Sequence, residues 1–169
     1  MGPPVKASCP GRSVAARGFT LVELMTVLAV LGVVAASAAP GLRSFAASQK
    51  VKSLSYDMTT DLLLARSEAL KRNTTVNMTA TDANWASGWT LTAGTENIST
   101  RNPAVESLSF AASPAVPTVI SFDVNGRVSA PGTQLRMTVS VTGGAADSAK
   151  RCIQLDLSGR ARSVIGACA

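Results

Sequence analysis

The sequence has 169 residues and no histidine, and it is also poor in charged residues, aromatic residues and cysteine. Histidine is the most frequent general base and the most frequent metal ligand in proteins, so its absence argues against a histidine-based catalytic centre or metal site. The sequence also contains no paired-carboxylate motif and no phosphate-binding loop. We therefore expect no enzymatic activity, no catalytic residues, no metal and no cofactor.

The low charge content comes from one segment. Charged residues make up 15% of the chain, and the mean hydropathy is +0.24. Residues 19–42 read FTLVELMTVLAVLGVVAASAAPGL, in which Glu23 is the only charged residue. A helix of this length spans about 36 Å, which exceeds the hydrocarbon core of a bilayer, about 30 Å thick. The segment therefore predicts a membrane-spanning helix.

The positive charge is concentrated at the N-terminus. The net charge is +6, but Lys6, Arg12 and Arg17 precede the apolar segment and all ten acidic residues follow Gly18. Without residues 1–18 the chain carries 13 basic and 10 acidic residues, a net charge of +3. Nucleic-acid-binding proteins usually show a stronger bias, so the overall charge is weak evidence for such a partner.

The N-terminal segment is compatible with three kinds of processing. The small residues 35–39, AASAA, resemble the cleavage site of an ordinary secretory signal, which would be cut near Ala39. A second possibility is a membrane anchor that is never cut. The third follows from the pattern Arg17-Gly18-Phe19-Thr20-Leu21-Val22-Glu23. This pattern resembles the N-terminus of the type IV pilin family, which includes the pseudopilins of type II secretion, and it favours the third possibility.

The resemblance implies how the chain is processed and placed. A prepilin peptidase is expected to remove residues 1–18 in the cytoplasm by cutting between Gly18 and Phe19, and to methylate the new N-terminus. Residues 19–42 would then form the transmembrane and assembly half of a helix in the inner membrane. Residues 43–169 would form a periplasmic domain, an orientation that agrees with the positive-inside rule.

Glu23 is the second element of the resemblance. An ionisable group inside a membrane span costs a few kcal/mol, so it requires a partner or a function. In the pilin family the matching carboxylate is thought to pair with the freed amine of a neighbouring subunit, which makes other pilin subunits the expected partners. The alternative is that Glu23 lies close enough to the interface to extend into water.

Cysteine gives a further expectation. Removal of the leader removes Cys9 and leaves Cys152 and Cys168. An even pair in an exported domain indicates a disulfide bond, whereas two buried free thiols are the alternative.

The pattern after the membrane segment predicts a longer helix and then strands. Apolar residues recur at steps of three and four from Val51 to Ala69, which predicts one helix over about Phe19–Arg72 in spite of Pro40. The charged residues of this part of the helix are expected to lie mostly off the apolar stripe: Asp57, Asp61, Glu68 and Lys71. We expect strands at Thr74–Ala80, Gly88–Thr92, Thr118–Phe122, Gln134–Val141, Arg151–Leu157 and Ala161–Ile165.

The segment Gly94–Pro117 is poorly patterned and predicts a long loop with at most one short strand. The predicted fold class is α+β, with a long N-terminal spine helix, its first half transmembrane, packed on an antiparallel β-sheet.

Several residues indicate a branch of the family. Ala65-Arg66-Ser67-Glu68-Ala69, Trp85, Gly88-Trp89, Phe122, Asn125-Gly126-Arg127 and the cysteines near the C-terminus resemble the GspH/FimT branch. That branch contains minor pseudopilins of type II secretion and minor pilins of type IV pili, and the sequence does not distinguish between the two. Trp85 and Trp89 are expected in the core, and Asn125-Gly126 in a hairpin turn.

The basic residues near the C-terminus allow two interpretations. Gly159-Arg160-Ala161-Arg162 resembles the Gly-Arg-x-Arg element with which some FimT-type minor pilins capture DNA, and Lys150 and Arg151 add two charges. Such a cluster can contact phosphates in a salt-dependent manner.

The alternative to DNA binding is an ordinary exposed hairpin. A three-residue turn at Ser158–Arg160 predicts that Leu157 lies opposite Ala161 and that Arg162 pairs with Asp156, which leaves Arg160 free.

Overall fold

A computed structural model describes residues 18–102, 108–112, 115–141 and 150–168. Within these residues the chain forms one α-helix followed by nine strands, in agreement with the predicted α+β class. The contacts divide the chain into two compact units, residues 1–39 and residues 40–169. Most of the leader, including Cys9, lies outside the described residues.

The helix α1 covers Leu21–Arg72, close to the predicted bounds. The helix continues through Pro40, which agrees with the prediction that Pro40 does not end it. In the first unit the helix is exposed from Leu21 to Ala38. In the second unit the predicted apolar stripe is confirmed, because every one of its residues is at most 3% exposed: Val51, Leu54, Met58, Leu62, Ala65 and Ala69.

The nine strands include the six that were predicted, most of them with shorter bounds. They are β1 Val76–Ala80, β2 Trp89–Ala93, β3 Glu96–Arg101, β4 Leu108–Ala112, β5 Val119–Phe122, β6 Val128–Ala130, β7 Leu135–Val141, β8 Arg151–Leu155 and β9 Ala161–Ile165. The prediction of a long loop over Gly94–Pro117 was wrong, because β3 and β4 both lie in that segment. Each lies at the edge of its sheet among the described strands, and nearly all of its residues are half-buried or exposed, so their sequences lack the alternation of a strand buried on one face.

The strands form two antiparallel sheets where one was expected. The five-stranded sheet has the order β3-β2-β1-β5-β6, and the four-stranded sheet has the order β4-β7-β8-β9. The loop between β5 and β6 contains Asn125 and Gly126, which confirms the predicted hairpin turn. A backbone hydrogen bond of 3.0 Å from Val128 N–H to the Leu157 carbonyl joins the two sheets at their turns.

One apolar core fills the second unit. The stripe of α1 packs with alternate residues of both sheets, including Met78 and Phe122 from the first and Met137 and Ile153 from the second. All four side chains are fully buried. Trp85 and Trp89 are 1% and 0% exposed, so the prediction that they are core residues is confirmed.

Candidate functional site

The N-terminal end of α1 carries the residues predicted for processing and assembly. Gly18 and Phe19 precede the helix, and Phe19 is 83% exposed. Thr20 caps the helix, because its hydroxyl oxygen accepts a hydrogen bond from the Glu23 N–H at 3.1 Å. Glu23 is exposed in the first turn, where a negative charge is favourable at the positive end of the helix dipole. The spacing of Thr20 and Glu23 is the signature of a capping box. Thr20 was not identified as the helix cap from the sequence, although this spacing was a signal for it.

The helix that follows is apolar on all sides. Leu21–Ala38 has a mean hydropathy of 2.2, and none of it is buried within the protein. An exposed helix of this length and composition is suited to a bilayer, and it also suits burial among the helices of other subunits. This is the one candidate membrane span in the described part of the chain.

In the second unit, Asp61 is the centre of a buried polar cluster. The prediction that it lies mostly off the buried face was wrong, since it is 2% exposed. Its carboxylate accepts hydrogen bonds from Trp89 Nε1 at 2.7 Å and from Arg101 Nε and Nη2 at 2.6 Å and 3.0 Å. The bond with Asp61 raises the pKa of Arg101 above its ordinary value. Helix periodicity cannot identify this role, because the partners lie 28 and 40 residues along the chain.

A second ionic contact joins α1 to β3. Arg72 donates hydrogen bonds to Glu68, four residues before it on the same helix, and to Glu96 of β3 at 2.6 Å. The bond from Arg72 holds the pKa of Glu68 below its ordinary value, and the Glu68 carboxylate raises the pKa of Arg72. The stabilisation by Glu68 is therefore present above the ordinary glutamate pKa and is lost as the pH falls through the lowered one.

The two C-terminal cysteines form a disulfide bond. Cys152 in β8 is joined to Cys168, sixteen residues later and beyond the end of β9. The backbone N–H of Cys168 also donates to Thr138 Oγ1 in β7 at 2.9 Å. The chain after β9 is thus held against the four-stranded sheet, and the interpretation of two free thiols does not apply.

The arginine hairpin differs from the predicted register. Leu155 pairs with Ala161 and Gln154 with Arg162, so the three-residue loop is Leu157–Gly159. Gly159 has φ = 78°, a left-handed conformation that a three-residue hairpin loop requires at its third position. A loop at Ser158–Arg160 would have placed an arginine there instead. The predicted pairing of Arg162 with Asp156 was therefore wrong.

The four basic residues do not form one patch. Arg162 donates from Nε to Gln154 Oε1 at 2.8 Å, whereas the exposed side chain of Arg160 has no bonded partner among the described residues. Lys150 and Arg151 lie at the opposite end of β8 from the turn, a distance of about 13 Å along the strand. The structure brings Arg160 and Arg162 to one end of the hairpin and leaves Lys150 and Arg151 at the other.

Comparison with known families identifies the second unit. The sequence profile described as Type II transport protein GspH matches residues 56–159, more than half of the chain. The chain belongs to the GspH family. A second profile, the prokaryotic N-terminal methylation motif, matches residues 15–39. No curated protein matches the chain significantly.

Solved structures of a pilin have a fold similar to that of this chain. Two crystal forms of the Pseudomonas aeruginosa type IV minor pilin FimU superpose with TM-scores of 0.58 and 0.56, each at 19% sequence identity. They cover 68% and 67% of this chain, and 87% and 91% of the FimU chain. At this identity the similarity shows a common fold. The chain is thus a pilin-like protein of the GspH family.

The GspH match does not reach every candidate residue. It ends at Gly159, so Arg160, Arg162 and Cys168 lie beyond it. Membership of the GspH family therefore carries no information about the arginines after the turn, and their role has to be argued from this chain alone. Among the described residues no group of three His, Cys, Asp or Glu side chains is placed to hold a metal ion.

Proposed function

We propose that this chain is a minor pilin or pseudopilin, a structural subunit that is cut between Gly18 and Phe19 and assembled through its N-terminal helix. The observation that carries the proposal is a wholly exposed apolar helix, Leu21–Ala38, that lies within the match to the methylation motif and precedes a GspH-family domain. An apolar helix of this kind needs lipid before assembly and other subunits afterwards.

The proposal includes the route to the filament. Prepilin peptidase removes residues 1–18 and methylates Phe19, while the protein is held in the inner membrane with residues 43–169 in the periplasm. The subunit then enters a type IV pilus or the pseudopilus of a type II secretion system. Glu23 acts at this step by pairing with the amine of a neighbouring subunit, an amine that exists only after cleavage.

Cleavage is tested by replacing Gly18. A bulky residue beside the scissile bond should block the peptidase, so Gly18→Val should leave the leader attached. The measurement is the intact mass of protein extracted from membranes, which for the parent should correspond to residues 19–169 plus one methyl group. Gly32→Val is a matched control, because Gly32 lies within α1, away from the scissile bond, and has open space around it as Gly18 does. A parent protein that begins near Pro40 would contradict the proposal.

The role of Glu23 is tested by Glu23→Val. We expect normal insertion and cleavage, with about tenfold less of the variant in purified filaments, since loss of about 1.4 kcal/mol between subunits corresponds to that factor. Thr26→Val removes a polar group from the same exposed span without removing a charge, and it should assemble like the parent. Equal incorporation of Glu23→Val and Thr26→Val would show that the carboxylate has no function between subunits.

A second candidate function is the capture of DNA by this pilin. The observation that favours it is that Arg160 is exposed at a turn and has no ionic partner among the described residues. In the form suggested by the sequence, Arg160 and Arg162 contact the phosphates, with further charge from Lys150 and Arg151. Binding of this kind is independent of base sequence and weakens steeply as salt is added.

A further inference from the structure

A five-residue motif occurs twice in the second unit. Residues 123–127 are Asp-Val-Asn-Gly-Arg, and residues 156–160 are Asp-Leu-Ser-Gly-Arg. The first copy joins β5 to β6, and the second joins β8 to β9. The two copies therefore occupy the same kind of position, one in each sheet.

Both copies fold in the same way. In each, the Gly N–H donates to the Asp carbonyl, at 2.9 Å for Gly126 and 2.8 Å for Gly159. In each, the Asp N–H donates to the Arg carbonyl, at 2.9 Å and 3.0 Å. The glycines have φ = 70° and φ = 78°. The two Arg residues, Arg127 and Arg160, thus follow identical turns at equivalent positions.

The two turns are packed against each other through their backbones. A Cβ atom at Gly159 would lie 2.2 Å from the carbonyl oxygen of Gly126, so the turns touch where both lack a side chain. Arg127 and Arg160 each follow one of these glycines. Standard bond lengths then place their Cα atoms within about 10 Å of each other. We call this pair of turns, residues 123–127 and 156–160, the twin turn.

A third arginine lies beneath the twin turn. The side chain of Arg66, on α1, runs under both glycines: its Cγ would be 3.1 Å from a Cβ at Gly126, and its Cδ 3.1 Å from a Cβ at Gly159. The Nε atom of Arg66 is buried and has no hydrogen-bond partner in the described structure. A buried donor without a hydrogen-bond partner lowers the stability of the fold, so this nitrogen calls for an explanation.

The two carboxylates of the twin turn, Asp123 and Asp156, bond to groups other than the guanidinium groups of these arginines. Asp123 Oδ1 accepts the backbone N–H groups of Asn125 and Arg127, at 2.9 Å and 2.8 Å. Asp156 Oδ1 accepts from Gln134 Nε2 at 2.9 Å. None of the three guanidinium groups forms an ion pair with a residue that the structure describes. The twin turn and Arg66 therefore bring together three guanidinium groups and two carboxylates that form no ion pair with them, and the net charge of the five groups is +1.

We propose that the twin turn is an anion-binding site that holds the phosphodiester backbone of DNA between Arg127 and Arg160, with Arg66 adding charge from below. The inference rests on the second candidate function and changes its residues: the partner of Arg160 is Arg127 of the other sheet, not Arg162. A guanidinium group matches phosphate oxygens with two parallel hydrogen bonds, and two such groups whose Cα atoms lie within about 10 Å of each other can contact one strand at more than one phosphate. Arg162, bonded to Gln154, belongs to the strand and not to the site.

The test uses the full-length protein in neutral detergent and a fluorescent DNA duplex of arbitrary sequence. Arg127→Gln and Arg160→Gln should each weaken binding about tenfold at low salt and should each reduce the slope of log affinity against log salt by about one. Arg162→Gln is the matched control and should stay within about twofold of the parent. Arg127→Lys keeps the charge and should retain the salt slope, which separates loss of a phosphate contact from loss of folding.

Each outcome decides a different point. No binding by the parent at low salt would overturn both DNA capture and the twin-turn site. Binding that is lost in Arg160→Gln and Arg162→Gln but not in Arg127→Gln would leave DNA capture standing and overturn the twin-turn site. Polyphosphate should displace the duplex better than polyglutamate of equal charge. Equal displacement would assign the site to carboxylates of a protein partner and would contradict the phosphodiester proposal.

Discussion

Gly159→Ala is expected to lower the free energy of unfolding by about 2–5 kcal/mol. Two effects add: a non-glycine residue at positive φ costs about 1–2 kcal/mol, and overpacking costs about 1–3 kcal/mol. The overpacking is severe here, because the new Cβ would lie 2.2 Å from a backbone oxygen of Gly126, which cannot rotate away as a side chain would. The measurement is chemical denaturation of the full-length protein in detergent, followed by tryptophan fluorescence.

Gly94→Ala is the matched control for this variant. Gly94 also has a positive φ, 58°, but nothing lies within 4 Å of a Cβ placed there. It should show the conformational cost alone, about 1–2 kcal/mol. If Gly159→Ala is no more destabilising than Gly94→Ala, the two turns do not pack against each other in solution.

Asp61→Asn is expected to destabilise the protein by about 2–4 kcal/mol. The carboxylate accepts three hydrogen bonds, from Arg101 and Trp89. An asparagine offers one uncharged oxygen as acceptor, so it cannot replace all three of these bonds at the same strength. Removal of one member of a buried ion pair typically costs about 3–5 kcal/mol, and the partly exposed Arg101 reduces that figure, since water can solvate it. Because the cluster joins α1 to β2 and β3, Trp89 fluorescence should report the change directly.

Asp57→Asn tests whether charge alone explains the effect. Asp57 also faces Arg101, at 3.5 Å, but its side chain is 44% exposed. Exposed ion pairs contribute about 0–1 kcal/mol, so this variant should stay close to the parent. Similar losses in Asp57→Asn and Asp61→Asn would mean that the buried hydrogen bonds of Asp61 add nothing beyond a general attraction to Arg101.

The helix was predictable from the sequence because its signals are local. Residues three and four apart meet on one helix face, so the spacing of Val51, Met58 and Leu62 already indicated which side is buried. The strand β7 was predictable for the same reason, since Leu135, Met137 and Val139 alternate with more exposed residues and all three are buried.

Two of the wrong predictions concern features that depend on contacts between residues far apart in the chain. The edge strands β3 and β4 are defined by pairing with β2 and β7, and their own sequences show no clear pattern. The role of Asp61 depends on Trp89 and Arg101, which no spacing rule connects to it. The hairpin register is a different case, because the need for glycine at the third loop position was a local signal that would have placed Gly159 correctly.

The sequence by itself determined the apolar span, the methylation motif around Gly18 and Phe19, the buried face of α1 and the α+β class, because each depends on neighbouring residues or on composition. Only the tertiary structure decided that the strands form two sheets and that Asp61 is buried. It also decided that two copies of one turn motif meet over Arg66, which gave Arg160 a different neighbour from the one its own strand suggested. The physical reason is that contacts between residues far apart in the chain depend on how whole elements pack, and local patterns do not encode that packing.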